Sequence, residues 1–325
     1  MQPTIDANAP GVISHAYNRC ANLKSGGIKN GSSRMEHWDE GVYVFRSKGE
    51  QDATPLIVSA GVHGDETAPA GILEQLCQDL ERRRLIPRRA CLLILANPPA
   101  LLERKRFLRV NMNRLFGAPV RPPGYEGQRS LTLEQHCREF AELYGIGWHL
   151  DLHATIKPSL HEHFALMPAC VRDYDDSWAP LLAAHGVSAL VKQKSPAHTF
   201  SHFTCAQLGY ESFTLECGAV GADAQTLEGV LTPLLRALLE DAPFSQRPAA
   251  ALQRYRVIQD LRKTSADFRF QVDEQCANFT RFAAGTLLAQ DGDHCIDVPR
   301  DDCALLFANS AVPVGDQAGL LLQPC

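Results

Sequence analysis

The chain has 325 residues, 45% of them hydrophobic and 21% charged, with a formal net charge of -5. That balance has the wrong sign for a general nucleic-acid binder, and no stretch reaches the roughly 18 continuous apolar residues of a membrane span. The 11 cysteines are odd in number and form no CxxC, which speaks against a disulfide framework or a thiolate metal cluster and for a reducing, cytoplasmic setting.

Residues 1–36 are polar and rich in Gly, Ser and Asn, and read as an irregular lead-in; Met1–Pro10 has neither the apolar core nor the positive flank of a secretory leader. Gly41–Arg46 reads as a strand, and Pro55–Ala60 as a short buried one. Thr67–Arg84 has helical spacing, with Ile72, Leu73, Leu76 and Leu80 on one side and a solvated basic end at Arg82–Arg84. Ala90–Ala96 is a second buried strand, stopped by Asn97-Pro98-Pro99. The Pro/Gly-rich segment Gly117–Gly127 reads as a surface loop, and Leu131–Tyr144 as a helix. Strands follow at Trp148–Leu152 and Phe164–Met167, a helix around Trp178–His185, and a strand near Ala189–Val191. Phe203–Leu208 reads as a helix, Phe213–Glu216 as a strand and Ala224–Leu239 as a long helix. Alternating strands and helices predict an α/β layer fold with a parallel or mixed sheet over residues 1–248. Beyond Pro248 only short strand-like runs remain (Tyr255–Ile258, Phe268–Val272, Thr286–Gln290, Ala304–Phe307), predicting a small β-rich C-terminal domain over 249–325.

The sharpest local feature is Gly61-Val62-His63-Gly64-Asp65-Glu66, directly after a buried strand. Ligands in open α/β sheets bind beyond the carboxyl ends of strands, and an imidazole with a carboxylate suits zinc. HxxE alone is a weak signal, since His37…Glu40 and His136…Glu139 share it; only the middle pair follows a buried strand through a glycine turn. A third ligand is offered by Trp148-His149-Leu150-Asp151-Leu152-His153, where His149, Asp151 and His153 share one strand face. Polar residues stacked on one face of a central strand are costly unless they line a site. His153, at the strand end, is the ligand candidate, though it reads equally as a core histidine. Asp151 could hold a ligand histidine from behind, and His149 reads as a satisfied core histidine. Glu216, in Thr214-Leu215-Glu216-Cys217-Gly218, is either a general base facing the metal or an exposed strand-end glutamate. Arg106 and Arg114 suit carboxylate recognition, although on the residues alone surface arginines are the commoner reading.

Taken together and in order, Gly61–Thr67, Asn97-Pro98-Pro99-Ala100, Asn113-Arg114 with Phe116, His149–His153, Thr214–Gly218 and the stretch from Asn278-Phe279 through Gly285–Gly292 resemble the succinylglutamate desuccinylase/aspartoacylase family, a branch of the zinc carboxypeptidase-like hydrolases. The resemblance covers nearly all of the chain beyond its first 40 or so residues. It implies a zinc-carboxypeptidase-like mixed sheet flanked by helices, and one Zn2+ per subunit held by His63, Glu66 and His153. It implies Glu216 as general base and acid, and Arg106, Asn113 and Arg114 as residues that hold substrate carboxylates or polarise the scissile carbonyl. The activity so implied is hydrolysis of the amide of N-succinyl-L-glutamate, a small dicarboxylic N-acyl amino acid, to succinate and L-glutamate at the end of arginine breakdown through succinylated intermediates. The aspartoacylase branch uses a C-terminal tyrosine for its substrate; Ala311-Val312-Pro313-Val314-Gly315 has none. Rival readings are a deacylase of another N-acyl amino acid, a peptide carboxypeptidase, and a non-catalytic metal or dicarboxylate binder. Neither a nucleic-acid nor a membrane partner is expected.

Overall fold

The computed structural model describes residues 33–47, 53–170, 174, 178–221, 224–240 and 252–325. The strands are β1 (Ser33–Asp39), β2 (Val42–Ser47), β3 (Leu56–Ala60), β4 (Cys91–Leu95), β5 (Trp148–Thr155), β6 (His163–Met167), β7 (Ala189–Lys192), β8 (Glu211–Ala219), β9 (Gln253–Arg262), β10 (Arg269–Phe270), β11 (Thr280–Phe282), β12 (Leu287–Asp291), β13 (His294–Asp297), β14 (Cys303–Leu306) and β15 (Gln317–Pro324). The helices are α1 (Thr67–Glu81), α2 (Pro98–Glu103), α3 (Tyr125–Tyr144), α4 (Trp178–Ala184), α5 (Phe200–Leu208) and α6 (Ala224–Glu240).

Among the described residues one mixed sheet runs in the order β1-β2-β4-β3-β5-β8-β6-β7-β9-β15-β14-β11, with a separate three-stranded sheet β10-β12-β13. Its centre, β4-β3-β5-β8, is parallel, so these strands present their carboxyl ends on one edge. They are buried on both faces, as parallel strands covered by helices must be. One face packs Leu56, Val58, Leu150, Leu152, Phe213 and Leu215 against Leu73 and Leu76 of α1, Leu182 of α4 and the leucines of α6. The other packs Ile57, Leu92 and Ile94 under Leu133, Cys137 and Phe140 of α3 and Phe200 and Phe203 of α5.

The C-terminal part is all strand, as expected, and it is joined to the main sheet. β9 pairs in parallel with β7, and β15 and β14 continue from it. Phe164, Leu166 and Val191 share a core with Tyr255, Val257, Phe279 and Leu320 across this seam. The expected boundary at 248/249 lies outside the described residues, as does all of the lead-in except its last residues, where β1 already begins at Ser33.

Two local differences from expectation have physical reasons. The Gly117–Gly127 loop is shorter than its composition suggests, because α3 begins at Tyr125 after Gly124 at φ 125. Buried Arg129 of that added turn then bonds the carbonyls of Leu95, Ala96 and Glu40. Cys170 and Cys205 stand within disulfide reach, with Cα atoms 6.4 Å apart, a pairing the spacing of the cysteines did not suggest.

Candidate metal centre

The turn after β3 is shaped by two glycines. Gly61 sits at φ +71, and a Cβ on Gly64 would overlap the carbonyl of Ala100 in α2. That close approach lets α1 start at Thr67 with Glu66 in the cap position. Glu66 makes no side-chain cap, although a capping side chain is worth about 1 kcal/mol; its carboxylate turns toward the strand ends instead.

There it meets two imidazoles. Nδ1 of His63 lies 2.8 Å from Oε1 of Glu66 and Nδ1 of His153 lies 2.9 Å from Oε2. Ala154 N–H donates to Oε2 at 3.1 Å, and Arg106 donates to Oε1 at 3.2 Å. All three side chains are buried, and their donor atoms lie within 4.8 Å of one another. The two outer nitrogens are held from behind. Nε2 of His153 faces Oδ2 of Asp151 at 2.9 Å. Nε2 of His63 faces Oδ1 of Asn111 at 3.1 Å, an atom that also accepts the Asn113 N–H and is therefore an acceptor. Both Nε2 atoms then donate, and both Nδ1 lone pairs aim at the Glu66 carboxylate. Lone pairs facing carboxylate oxygens repel unless a positive charge stands between them. Two nitrogens and a carboxylate around that point are the donor set of a zinc ion, so the residues fit a metal. Without one, a proton serves: burial opposes it, but Asp151 and Glu66 outweigh burial and hold the His153 pKa well above the ordinary imidazole value. Burial likewise works to raise the Glu66 pKa, and the two histidines reverse it and pull it far down.

Glu216 is not the exposed strand-end glutamate of the bland reading. It is 7% exposed, pairs in register with His153, and its Oε2 is buried without a hydrogen-bond partner among the described residues. Burial pushes its pKa up to about 7, with His153 opposing and Glu66 adding to the rise. A protonatable carboxyl beside a candidate set of metal ligands suits proton transfer near neutral pH.

The expected carboxylate anchors sit at different distances from this centre. Arg106 touches it, through Glu66 and, at 3.8 Å, Asp65. Asn113 accepts the N–H of Phe200 at the start of α5 through its Oδ1, at 3.0 Å. Arg114 donates to the carbonyl of Asn113 rather than to the triad. Desolvation lowers its pKa; Asp316 opposes this, and Arg106 and Arg262 add to it, so three guanidinium groups share one field. Cys217 packs in the apolar core, and His149 is buried and hydrogen-bonded, as expected of a core histidine. The other two HxxE histidines lie elsewhere, His37 on β1 and His136 on α3 near Asp39. Asn111 was not foreseen as a partner of His63; its neighbours Met112 and Asn113 sit in a 3-10 turn that Asn111 caps, and that turn signal was its only sequence trace.

Fold and site together define an α/β protein with a candidate single-metal centre of two histidines and one glutamate beyond the ends of its parallel strands. Residues 52–240 match the model of the Succinylglutamate desuccinylase/Aspartoacylase catalytic domain, and residues 250–325 that of the AstE/AspA barrel-sandwich hybrid domain. The chain belongs to the succinylglutamate desuccinylase/aspartoacylase family. It is 34% identical over 308 residues to a succinylglutamate desuccinylase of Shewanella denitrificans, covering 90% of this chain and 88% of the relative. It is 35% identical over 274 residues to one of Yersinia pestis, covering 82% and 83%. Among solved structures, the succinylglutamate desuccinylase of Vibrio parahaemolyticus superposes with TM-score 0.85 at 28% identity, over 92% of this chain and 90% of that one. The Vibrio cholerae protein of the same name gives 0.83 at 26%, over 93% and 90%. No helix among the described residues is long and apolar enough to cross a membrane.

Proposed function

We propose that this chain hydrolyses the amide bond of N-succinyl-L-glutamate to succinate and L-glutamate, with one zinc ion held by His63, Glu66 and His153. The observation that carries the reading is the buried carboxyl of Glu216 beside the histidine–glutamate set, its Oε2 without a hydrogen-bond partner among the described residues, a placement a mere binder has no use for. The full-length likeness to succinylglutamate desuccinylases supports the substrate, and the absence of a tyrosine from Ala311–Gly315 argues against an acetylaspartate preference. In the cell this reaction would close arginine breakdown through succinylated intermediates.

When bound, the ion supplies Lewis acidity, which acidifies water and polarises a carbonyl oxygen. Glu216 takes a proton from the attacking water as its oxygen bonds to the succinyl carbonyl carbon, then delivers that proton to the glutamate nitrogen as the C–N bond breaks. Arg106 and Arg114 pair with substrate carboxylates through planar guanidinium groups, and the Asn113 amide N–H donates to the substrate. Asp151 and Asn111 hold the two imidazoles with Nδ1 turned inward.

The test is a side-by-side assay of N-succinylglutamate, N-succinylarginine and N-acetylaspartate, before and after chelation and again after zinc is restored. The expected result is turnover of the first substrate alone, lost with the metal and regained with it. Undiminished activity after complete metal removal would sink the mechanism, and a preference for acetylaspartate would sink the specificity.

A further inference from the structure

Behind the candidate centre a buried row of polar side chains runs back from Asp151, and beyond Asp151 itself the reaction as proposed does not use them. On the α5 face of the sheet, strand register sets His149 beside Ser212, and Asp151 between Ser59 and Thr214. Ser59, His149, Asp151, Thr204 and Ser212 are all fully buried. Their contacts form an unbroken line: Ser212 Oγ to Thr204 Oγ1 at 2.9 Å, Thr204 Oγ1 to His149 Nδ1 at 2.7 Å, His149 Nε2 to Ser59 Oγ at 2.8 Å, and Ser59 Oγ to Asp151 Oδ1 at 2.6 Å. The other oxygen of Asp151 holds Nε2 of His153.

Proton counting gives the line a direction. Ser59 has one hydroxyl proton, and the carboxylate of Asp151, an acceptor only, takes it at the shortest contact. Ser59 must then accept from His149, so Nε2 of His149 carries a hydrogen. Doubly protonated His149 is disfavoured, since burial pushes its pKa down to about 4 against the opposing charge of Asp151. Nδ1 is therefore a bare acceptor, and the Thr204 hydroxyl supplies its proton. Thr204 has alternative acceptors in the carbonyls of Ser201 at 3.1 Å and Phe200 at 3.3 Å. Giving its proton to either would leave a buried ring nitrogen without a hydrogen bond, which is costly. Every donor from Thr204 to Ser59 points toward Asp151.

We infer that His149 is a positioning residue: its single neutral tautomer, set by Thr204, relays hydrogen-bond direction through Ser59, so that both oxygens of Asp151 accept and His153 turns its Nδ1 lone pair to the metal. This deepens the proposed function and rests on it for the identity of the ion. A histidine that only filled space would have no tautomer requirement and no effect beyond packing.

The experiment uses full-length protein labelled with 15N-histidine, together with zinc competition against a chelator. In the wild type, the His149 Nδ1 resonance is expected in the unprotonated range and Nε2 in the protonated range. His149→Phe is expected to weaken zinc binding by about 10-fold, the lower end of what losing a residue bonded directly to a ligand costs, because His149 acts through Ser59 and Asp151. Thr204→Val, which keeps shape and removes only the hydroxyl, should weaken it in the same direction and serves if His149→Phe fails to fold. Leu133→Ala, a cavity in the same core, is the packing control and should lose stability while keeping its zinc affinity. A protonated Nδ1 on His149 would overturn the inference. So would zinc affinity unchanged within twofold in both His149→Phe and Thr204→Val, or a loss no greater than that of Leu133→Ala. Wild-type protein with the expected His149 tautomer but no zinc binding would instead count against the proposed function.

Discussion

At the scale of single residues, Glu216 makes the most exposed claim. A carboxyl buried without a partner is costly to ionise, and its pKa near 7 states that cost. Substituting Glu216→Gln keeps shape and removes the proton carrier, so kcat for succinylglutamate should fall by about 10^2–10^4 with zinc content unchanged; a variant keeping more than half of wild-type turnover would rule out the role. The same group predicts a stability effect in metal-free protein. Its folded pKa is raised above the unfolded value of 4.5, so between about pH 4.5 and 7 the native state holds a proton the unfolded chain has released, and stability falls as pH rises through that window. Metal-free Glu216→Gln should therefore unfold at a higher denaturant concentration than metal-free wild type at pH 8, by about 1–3 kcal/mol, with the gap closing toward pH 4.5. Much of this residue-scale chemistry was legible in the sequence. A glycine turn after an apolar strand marked His63 and Glu66, and alternation marked the shared face of His149, Asp151 and His153. Asn111, Ser59 and Thr204 were not legible, because each is an ordinary polar residue whose role exists only through contacts with residues 48–92 positions away.

At the scale of elements, the site depends on two loops held by unusual contacts. Gly64 lies against the backbone of α2, so Gly64→Ala must push the His63–Glu66 turn away from Ala100. The expected outcome is a lowered thermal midpoint together with lost zinc, read by calorimetry and metal analysis. Full zinc occupancy in a stable Gly64→Ala protein would contradict it. The loop carrying Arg106 is pinned from the first turn of α3, where buried Glu126 accepts the N–H groups of Leu108 at 2.6 Å and Arg109 at 3.2 Å. Removing that carboxylate in Glu126→Ala leaves two backbone donors unpaired, each worth about 1–3 kcal/mol, and frees the loop. KM for succinylglutamate should rise severalfold with a smaller change in kcat, and a destabilised variant with wild-type KM would show that the loop does not position Arg106. The sequence missed the start of this helix for a physical reason: Tyr125–Ser130 contains a glycine and few apolar residues, so periodicity begins only at Leu131. The first turn instead earns its place through buried Glu126 and Arg129.

At the scale of the whole molecule, the candidate centre sits near the middle of a sheet that has twelve strands among the described residues, and the C-terminal residues close one side of it. Composition foresaw the change to short strands beyond Pro248 but not the joining, because parallel pairing of β9 on β7 is a long-range choice with no local signature. β15 escaped notice for a related reason: its Leu320-Leu321-Leu322 run is too short and unalternating to mark a strand until β9 and β14 flank it. The joining has a measurable consequence. A fragment ending at residue 248 would expose the edge of β7 and strip the cover from Phe164, Leu166 and Val191. Those three side chains alone account for roughly 1.5–3 kcal/mol each, a large share of a domain's usual margin of about 5–15 kcal/mol. The fragment would also lose the backbone ties of Pro158 and Leu160 to Asn278, and the Lys157 ammonium would lose the carbonyls of Glu274 and Ala308. An apolar, unpaired β7 edge is a template for association. The fragment should therefore accumulate as aggregate, eluting in the void volume of a sizing column, whereas the full chain elutes as a discrete species. A soluble, monodisperse 1–248 fragment with a cooperative melt would show that the catalytic layer is self-sufficient and that the shared sheet contributes little to holding the centre in place.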